Sequence, residues 1–190
     1  MGVSLKIKRS RYVFAAFFAA MVAVSGFFIV PLPAGIPLVL KNLFVVLSGT
    51  VLGSFYGGIS ILIFLLAGLI GIPVFVIGGG IGVFNTPLGG YLIGYFLGSL
   101  ISGLVCGLPE THEKKIRLSF MFRLTLASFL GFALILICGS LYLMFLFSMS
   151  FSAAFTAGVL PFLPGDLIKF ILSIPVALKL RPVAARYLNE

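Results

Sequence analysis

Acidic charge is almost absent from this sequence: four Asp and Glu occur in 190 residues. Histidine occurs once and cysteine twice, with no CxxC or metal-ligand spacing around Cys106 and Cys138. His112 stands beside Glu110 and Glu113 in a polar segment with no second nitrogen or sulfur ligand near it, so it reads as a solvated surface residue and no metal site is expected. Intramembrane hydrolysis would need a Ser/His, Asp/Asp or His/Glu zinc set within apolar segments, where Asp166 is alone. An enzyme is therefore not expected. There is no P-loop, and the glycine run at Gly78 to Gly82 has neither a preceding strand nor the third glycine of a dinucleotide fingerprint.

Charge of either sign is scarce as well: 9% of residues are charged and 61% are hydrophobic, with a mean hydropathy of +1.28. A soluble domain of that composition would have no polar surface to present to water, so the chain reads as an integral membrane protein. The net charge of +9 is not gathered into a patch interleaved with aromatics, which argues against nucleic acid. A helix needs about 20 apolar residues to cross the hydrocarbon. Residues 1–190 therefore read as one all-α domain of six transmembrane helices, with no room for a separate soluble part.

Pro, Gly and charge clusters set the expected spans near Tyr12 to Val30, Pro37 to Gly53, Gly57 to Ile72, Leu88 to Gly107, Leu118 to Phe147 and Gly165 to Leu180. The first run continues past the small-residue stretch Ala23-Val24-Ser25 without a break, so it reads as an uncleaved helix and not a signal peptide. "SFYGG" and "LPETHEKKIR" are short connections on one side. The other three, "PLPAGIPL", "PVFVIGGGIGVFNTP" and "SMSFSAAFTAGVLPFLPG", are apolar and rich in Gly, Pro or small residues. Of 13 Lys and Arg, four lie in the N-terminal tail, four around the charged loop (Lys114, Lys115, Arg117, Arg123) and three at the far end (Lys179, Arg181, Arg186). Six spans put all three groups on one side, which the positive-inside rule makes cytoplasmic together with both termini. Lys41 and Lys169 are the exceptions, near the outer ends of helices.

Asp166 and Lys169 interrupt the apolar stretch "PFLPGDLIKFILSIP" and, three apart, share one helical face. One reading makes Asp166 an N-cap and lets Lys169 snorkel to water. The favoured reading is a binding site, because an intramembrane lysine is costly and normally faces a partner or cavity. The third loop adds glycines, Gly79 and Gly80 among them, that allow close approach of a ligand to backbone, Phe84 and Tyr91 as walls, and Asn85 as donor and acceptor; the alternative is a re-entrant turn. Ala15, Ala19 and Ala23 are spaced four apart, with Ala16 and Ala20 in the adjacent row. Such a row either packs inside the bundle or docks another membrane subunit.

These residues resemble the BioY family, the biotin-specific substrate-binding (S) components of energy-coupling factor (ECF) transporters. "PFLPGDLIK" carries the resemblance most strongly, then "GGYLIGY", "LFVVLSGTVLG" and the alanine pattern, over nearly the whole chain. Lys41-Asn42 stands where the family usually has a glutamine, and Thr86-Pro87-Leu88 where it usually reads Gly-Pro-Thr. The resemblance implies a six-helix protein of the bacterial cell membrane that captures biotin on the outer face under loops one, three and five. It implies as partners a transmembrane coupling subunit and two cytoplasmic ATPases, with no cofactor in this chain. An S component for a different vitamin, or a structural membrane protein, is the alternative. In the biotin reading Asp166 accepts ureido N–H groups, Lys169 or Asn85 serves the ureido carbonyl, and Lys169 or Lys41 takes the tail carboxylate.

Overall fold

The computed structural model describes residues 2–31, 37–76, 78–110 and 118–188; the side chains of residues 2–10, 29–31, 37–38 and 187 also lie outside the description. Glu113, His112 and the basic residues Lys114, Lys115 and Arg117 of the charged loop, with most of "PLPAGIPL", fall beyond those limits. Among the described residues there are six α-helices, α1 (Gly2–Ser25), α2 (Lys41–Leu69), α3 (Leu88–Cys106), α4 (Leu118–Leu146), α5 (Phe151–Gly158) and α6 (Leu163–Leu188), and a short 3-10 helix at Ile81–Asn85 in the third loop. A two-stranded antiparallel hairpin, β1 (Ile29–Pro31) with β2 (Pro37–Val39), joins α1 to α2 and pairs Ile29 with Val39.

The expected second and third spans are the two arms of α2, and the reversal between them falls earlier than "SFYGG". Gly53 adopts φ 79°, ψ 174°, while residues 54–58 are already helical. A Cβ on Gly57 would lie 2.7 Å from the Ser48 carbonyl oxygen. In a straight helix those two residues would be about 13 Å apart, so the arms, 41–52 and 54–69, fold back on each other. One glycine at positive φ suffices for the turn, because a side chain there would be strained. Gly57 and Gly58 serve the packing that follows.

Small residues also bring the neighbouring helices close, as membrane bundles require. The Ser48 and Ser99 hydroxyls are 2.9 Å apart between α2 and α3. Gly103 abuts Gly53 and Ser54, and Gly94 and Gly98 of α3 lie against Ile135 and Gly131 of α4. By length and apolarity α2, α3 and α4 qualify as membrane spans, and α5 with α6 qualifies as a single unit bent by 59°. The protein is a multi-pass membrane protein.

Several boundaries differ from expectation. The second span, expected from Pro37, begins at Lys41, because Pro37–Val39 form β2. The first helix ends at Ser25, where the chain turns at Gly26 into β1. Loop five contains α5, started by Ser150, whose hydroxyl accepts the Ala153 N–H at 3.3 Å. The last helix runs on to Leu188 through Pro175 and Pro182, which membrane helices tolerate where neighbours re-satisfy the freed carbonyls. Arg181 lies in that stretch and is 1% exposed, so it is no solvated flanking charge. Its guanidinium donates to the carbonyl of Thr50, to those of Gly107 (3.2 Å) and Leu108 (2.9 Å), and to Cys106 Sγ (3.0 Å). It also lies 5.0 Å from the Phe120 ring centroid. It thereby ties α6 to the α2 reversal and to the C-terminus of α3.

The alanine row of α1 requires a correction. Ala15 and Ala19 are buried within the chain, and Ala23 packs against the same cluster as Ala19, with Val22, Val45, Val46 and Phe64. That row is spent on packing within the bundle and is not a free docking face. The adjacent residues Ala16 and Ala20 are the exposed ones.

Candidate functional site

Asp166 sits in the first turn of α6, its N–H bonded to the Phe162 carbonyl at 2.8 Å. Because the helix begins three residues earlier, Asp166 is not its N-cap. The carboxylate forms an ion pair with Lys169 one turn on, and each residue is 4% exposed. Lys169 turns inward instead of snorkelling and donates to the Val39 carbonyl of β2 at 3.2 Å. Asn42 Nδ2 reaches both Asp166 oxygens, at 3.3 and 3.4 Å. Burying both charges costs several kcal/mol each, which only mutual pairing and further hydrogen bonds offset. The arrangement therefore holds α6, β2 and the start of α2 together, and neither part of the cap-and-snorkel reading survives.

Lys41 precedes Asn42, and a helix turns its side chain about 100° away. It is 2% exposed, donates to the Val74 carbonyl at 2.9 Å and lies 5.2 Å from the Phe64 ring centroid. Among the described residues no carboxylate pairs with it. The third loop folds down beside it: Phe75 and Gly78 exchange backbone bonds of 3.0 and 3.1 Å, and the Gly80 N–H bonds the Gly68 carbonyl at 2.7 Å. Gly80 has φ 103°, and a Cβ on Gly79 would meet the Ile72 carbonyl at 2.5 Å. These two glycines thus dock the loop onto the end of α2. Asn85 is exposed, and Phe84 is half-buried with its carbonyl accepting from the Tyr142 hydroxyl.

Tyr91 stands nearer the charged pair. Its hydroxyl donates to the Gly158 carbonyl at 2.7 Å, tethering α5, and its ring meets Phe162 edge-on at 5.8 Å. Beside it a cavity of about 490 Å³ opens between α4, α5 and α6. Phe129, Phe132, Leu136, Val159 and Phe170 belong to its wall, Phe151 and Leu167 stand at its exposed outer margin, and Asp166 is the ionisable residue in the lining. Of the residues singled out in the sequence, Asp166 alone lines this space; Lys169 and Asn42 touch it through Asp166, and Lys41, Gly79, Gly80, Phe84 and Asn85 are elsewhere. Its volume lies within the range of small-molecule pockets, and an apolar wall with one convergent polar group is their usual construction.

The α4 wall went unnoticed in the sequence. Residues 129, 132, 133, 136, 137, 140 and 141 recur at helical spacing, but the same period marks any core-facing stripe. Asn42 was visible only as the neighbour of Lys41.

Comparison with known proteins adds an independent line. The profile described as "BioY family" matches residues 2–186. A "Biotin transporter BioY" of Thermotoga maritima is 33% identical over 168 residues, 88% of this chain and 93% of that one. A "Probable biotin transporter BioY" of Lysinibacillus sphaericus is 43% identical over 103 residues, 54% of this chain and 52% of that protein. The crystal structure of "the S-component for biotin from an ECF-type ABC transporter" superposes with a TM-score of 0.76 at 29% identity, covering 92% of each chain.

Proposed function

The chain belongs to the BioY family, and from that premise we propose that it captures biotin in the membrane as the S component of an ECF transporter. The observation that carries the reading is Asp166, a buried carboxylate in the wall of a cavity that is otherwise almost entirely apolar. Biotin has the matching chemistry. Its ureido head offers a ring N–H to Asp166 and, beside it, a carbonyl to the donors Lys169 and Asn42, while its thioether ring needs an apolar wall such as Phe129, Phe132 and Phe170. Lys41, buried with no carboxylate partner among the described residues, is a suitable cation for the tail carboxylate once the third loop yields. Loop three, with Gly79, Gly80, Phe84 and Asn85, then lies on the Lys41 side of the site and outside the cavity wall, and Tyr91 fixes α5 beside the cavity.

The chain does no chemistry on its ligand, and without a P-loop it relies on ATP hydrolysed by partners: a transmembrane coupling subunit and two cytoplasmic ATPases. The exposed Ala16 and Ala20 leave α1 a shallow outward face on which such a subunit can sit closely. In the bacterial cell membrane, basic residues at both ends of the chain put both termini in the cytoplasm. Single cysteines at Ser4 and Asn189 should therefore escape an impermeant thiol reagent in intact cells, and labelling of either refutes the orientation. Calorimetric titration of purified protein with biotin tests the function itself. Nanomolar binding is expected; no heat from folded protein would overturn the assignment.

A further inference from the structure

Charge at the outer end of α6 is compensated before any ligand arrives. Asp166 is already paired with Lys169 across one helical turn, and Asn42 adds only neutral donors. The charge that α2 itself carries at this end is also positive: Lys41, buried beside Val74 and Phe64 one residue from Asn42. Glu110, the other carboxylate among the described residues, is exposed beyond the end of α3.

We infer that Lys169 determines which head group the site accepts: by neutralising Asp166 it selects a cyclic urea and rejects a cyclic guanidine of the same shape. This rests on the biotin reading above. An uncompensated buried carboxylate would favour the guanidinium, whose parallel N–H donors and positive charge match it best. With Lys169 in place, a guanidinium would share one carboxylate with an ammonium. Juxtaposed like charges in such an interface cost several kcal/mol. A guanidinium also has no acceptor lone pair, so the Lys169 and Asn42 donors would gain nothing from it. A cyclic urea has a carbonyl where the guanidine has its exocyclic N–H group: it brings a ring N–H to Asp166 without charge, and its carbonyl accepts from those donors.

The probes are biotin and 2-iminobiotin, whose guanidine is protonated at pH 7, titrated into the parent protein, Lys169→Met and Lys169→Arg. The parent should prefer biotin by at least about 100-fold, the equivalent of two tenfold steps in affinity. Lys169→Met should reduce that ratio by at least about tenfold, through gain of 2-iminobiotin as well as loss of biotin, because Asp166 is then uncompensated. Lys169→Arg, which keeps the charge, should hold the parental ratio. A parent that binds both compounds equally overturns the inference, as does a Lys169→Met ratio equal to the parental one. If Lys169→Met does not fold, the parental ratio and Lys169→Arg decide, and loss of discrimination in the arginine variant overturns it. A folded parent that binds neither compound refutes the biotin assignment itself; a parent that binds biotin while the ratio stays fixed refutes only the role given to Lys169.

Discussion

Removing one member of the Asp166–Lys169 pair should cost far more than removing both. In Asp166→Leu the Lys169 ammonium, 4% exposed, keeps only the Val39 carbonyl at 3.2 Å among the described residues, and the Asn42 amide loses both Asp166 oxygens as acceptors. Breaking a buried ion pair from one side costs about 3 to 5 kcal/mol, because an uncompensated charge stays behind. Lys169→Met should approach the same loss, relieved only by the Asn42 donors that remain on the carboxylate. The double variant Asp166→Leu, Lys169→Met replaces the pair with apolar groups of similar reach and should recover stability to within about 1 kcal/mol of the parent or exceed it. Thermal denaturation of the four ligand-free proteins in one detergent measures the cycle, and calorimetry run in parallel should find biotin binding lost in the double variant despite its stability. If the two single losses simply add in the double variant, the groups are not coupled. The pairing drawn here would then be wrong.

Two further changes probe other parts of the frame. Arg181→Met strips donors from the carbonyls of Thr50, Gly107 and Leu108 at the far end of α6; at about 1.5 to 3 kcal/mol for a hydrogen bond to a charged group, the melting temperature should fall clearly while the folded fraction binds biotin as the parent does, and an unchanged melt refutes the clasp. Ala19→Leu should destabilise by about 1 to 3 kcal/mol through overpacking against Val22 and Val46, whereas Ala20→Leu on the exposed side should leave melting and biotin affinity alone and impair uptake by the complete transporter; the reverse pattern would show that α1 presents its other face.

Much of the fold was legible because apolar length and charge placement are one-dimensional properties. The start of α3, at Leu88, falls where sequence punctuation put it, and α4 is helical from its first described residue, Leu118. Punctuation misled where one residue type serves two purposes. Glycines in "SFYGG" suggested a turn, yet the reversal needs a single positive φ and takes it at Gly53, leaving Gly57 to pack on Ser48 and Gly49. In "GVLPFLPG" the prolines suggested a loop, but Pro164 lies within the first turn of α6, where a missing N–H goes unmissed.

Function was legible to the depth at which composition forces a choice. A carboxylate and an ammonium three apart in an apolar run must share a helical face, and burial obliges them to find partners, so Asp166 and Lys169 announced a polar node. Which face turns inward is a property of the bundle, and adjacent rows in sequence do not reveal it: Ala15 and Ala19 face the core while Ala16 and Ala20, each one residue on, face out. The cavity wall poses the same problem in another form. Phe129, Phe132 and Leu136 carry the period of any core stripe, and only the placing of α5 across the gap between α4 and α6 leaves that stripe unfilled. A pocket is thus an absence of packing partners, and its sequence signature is the same as that of a packed core.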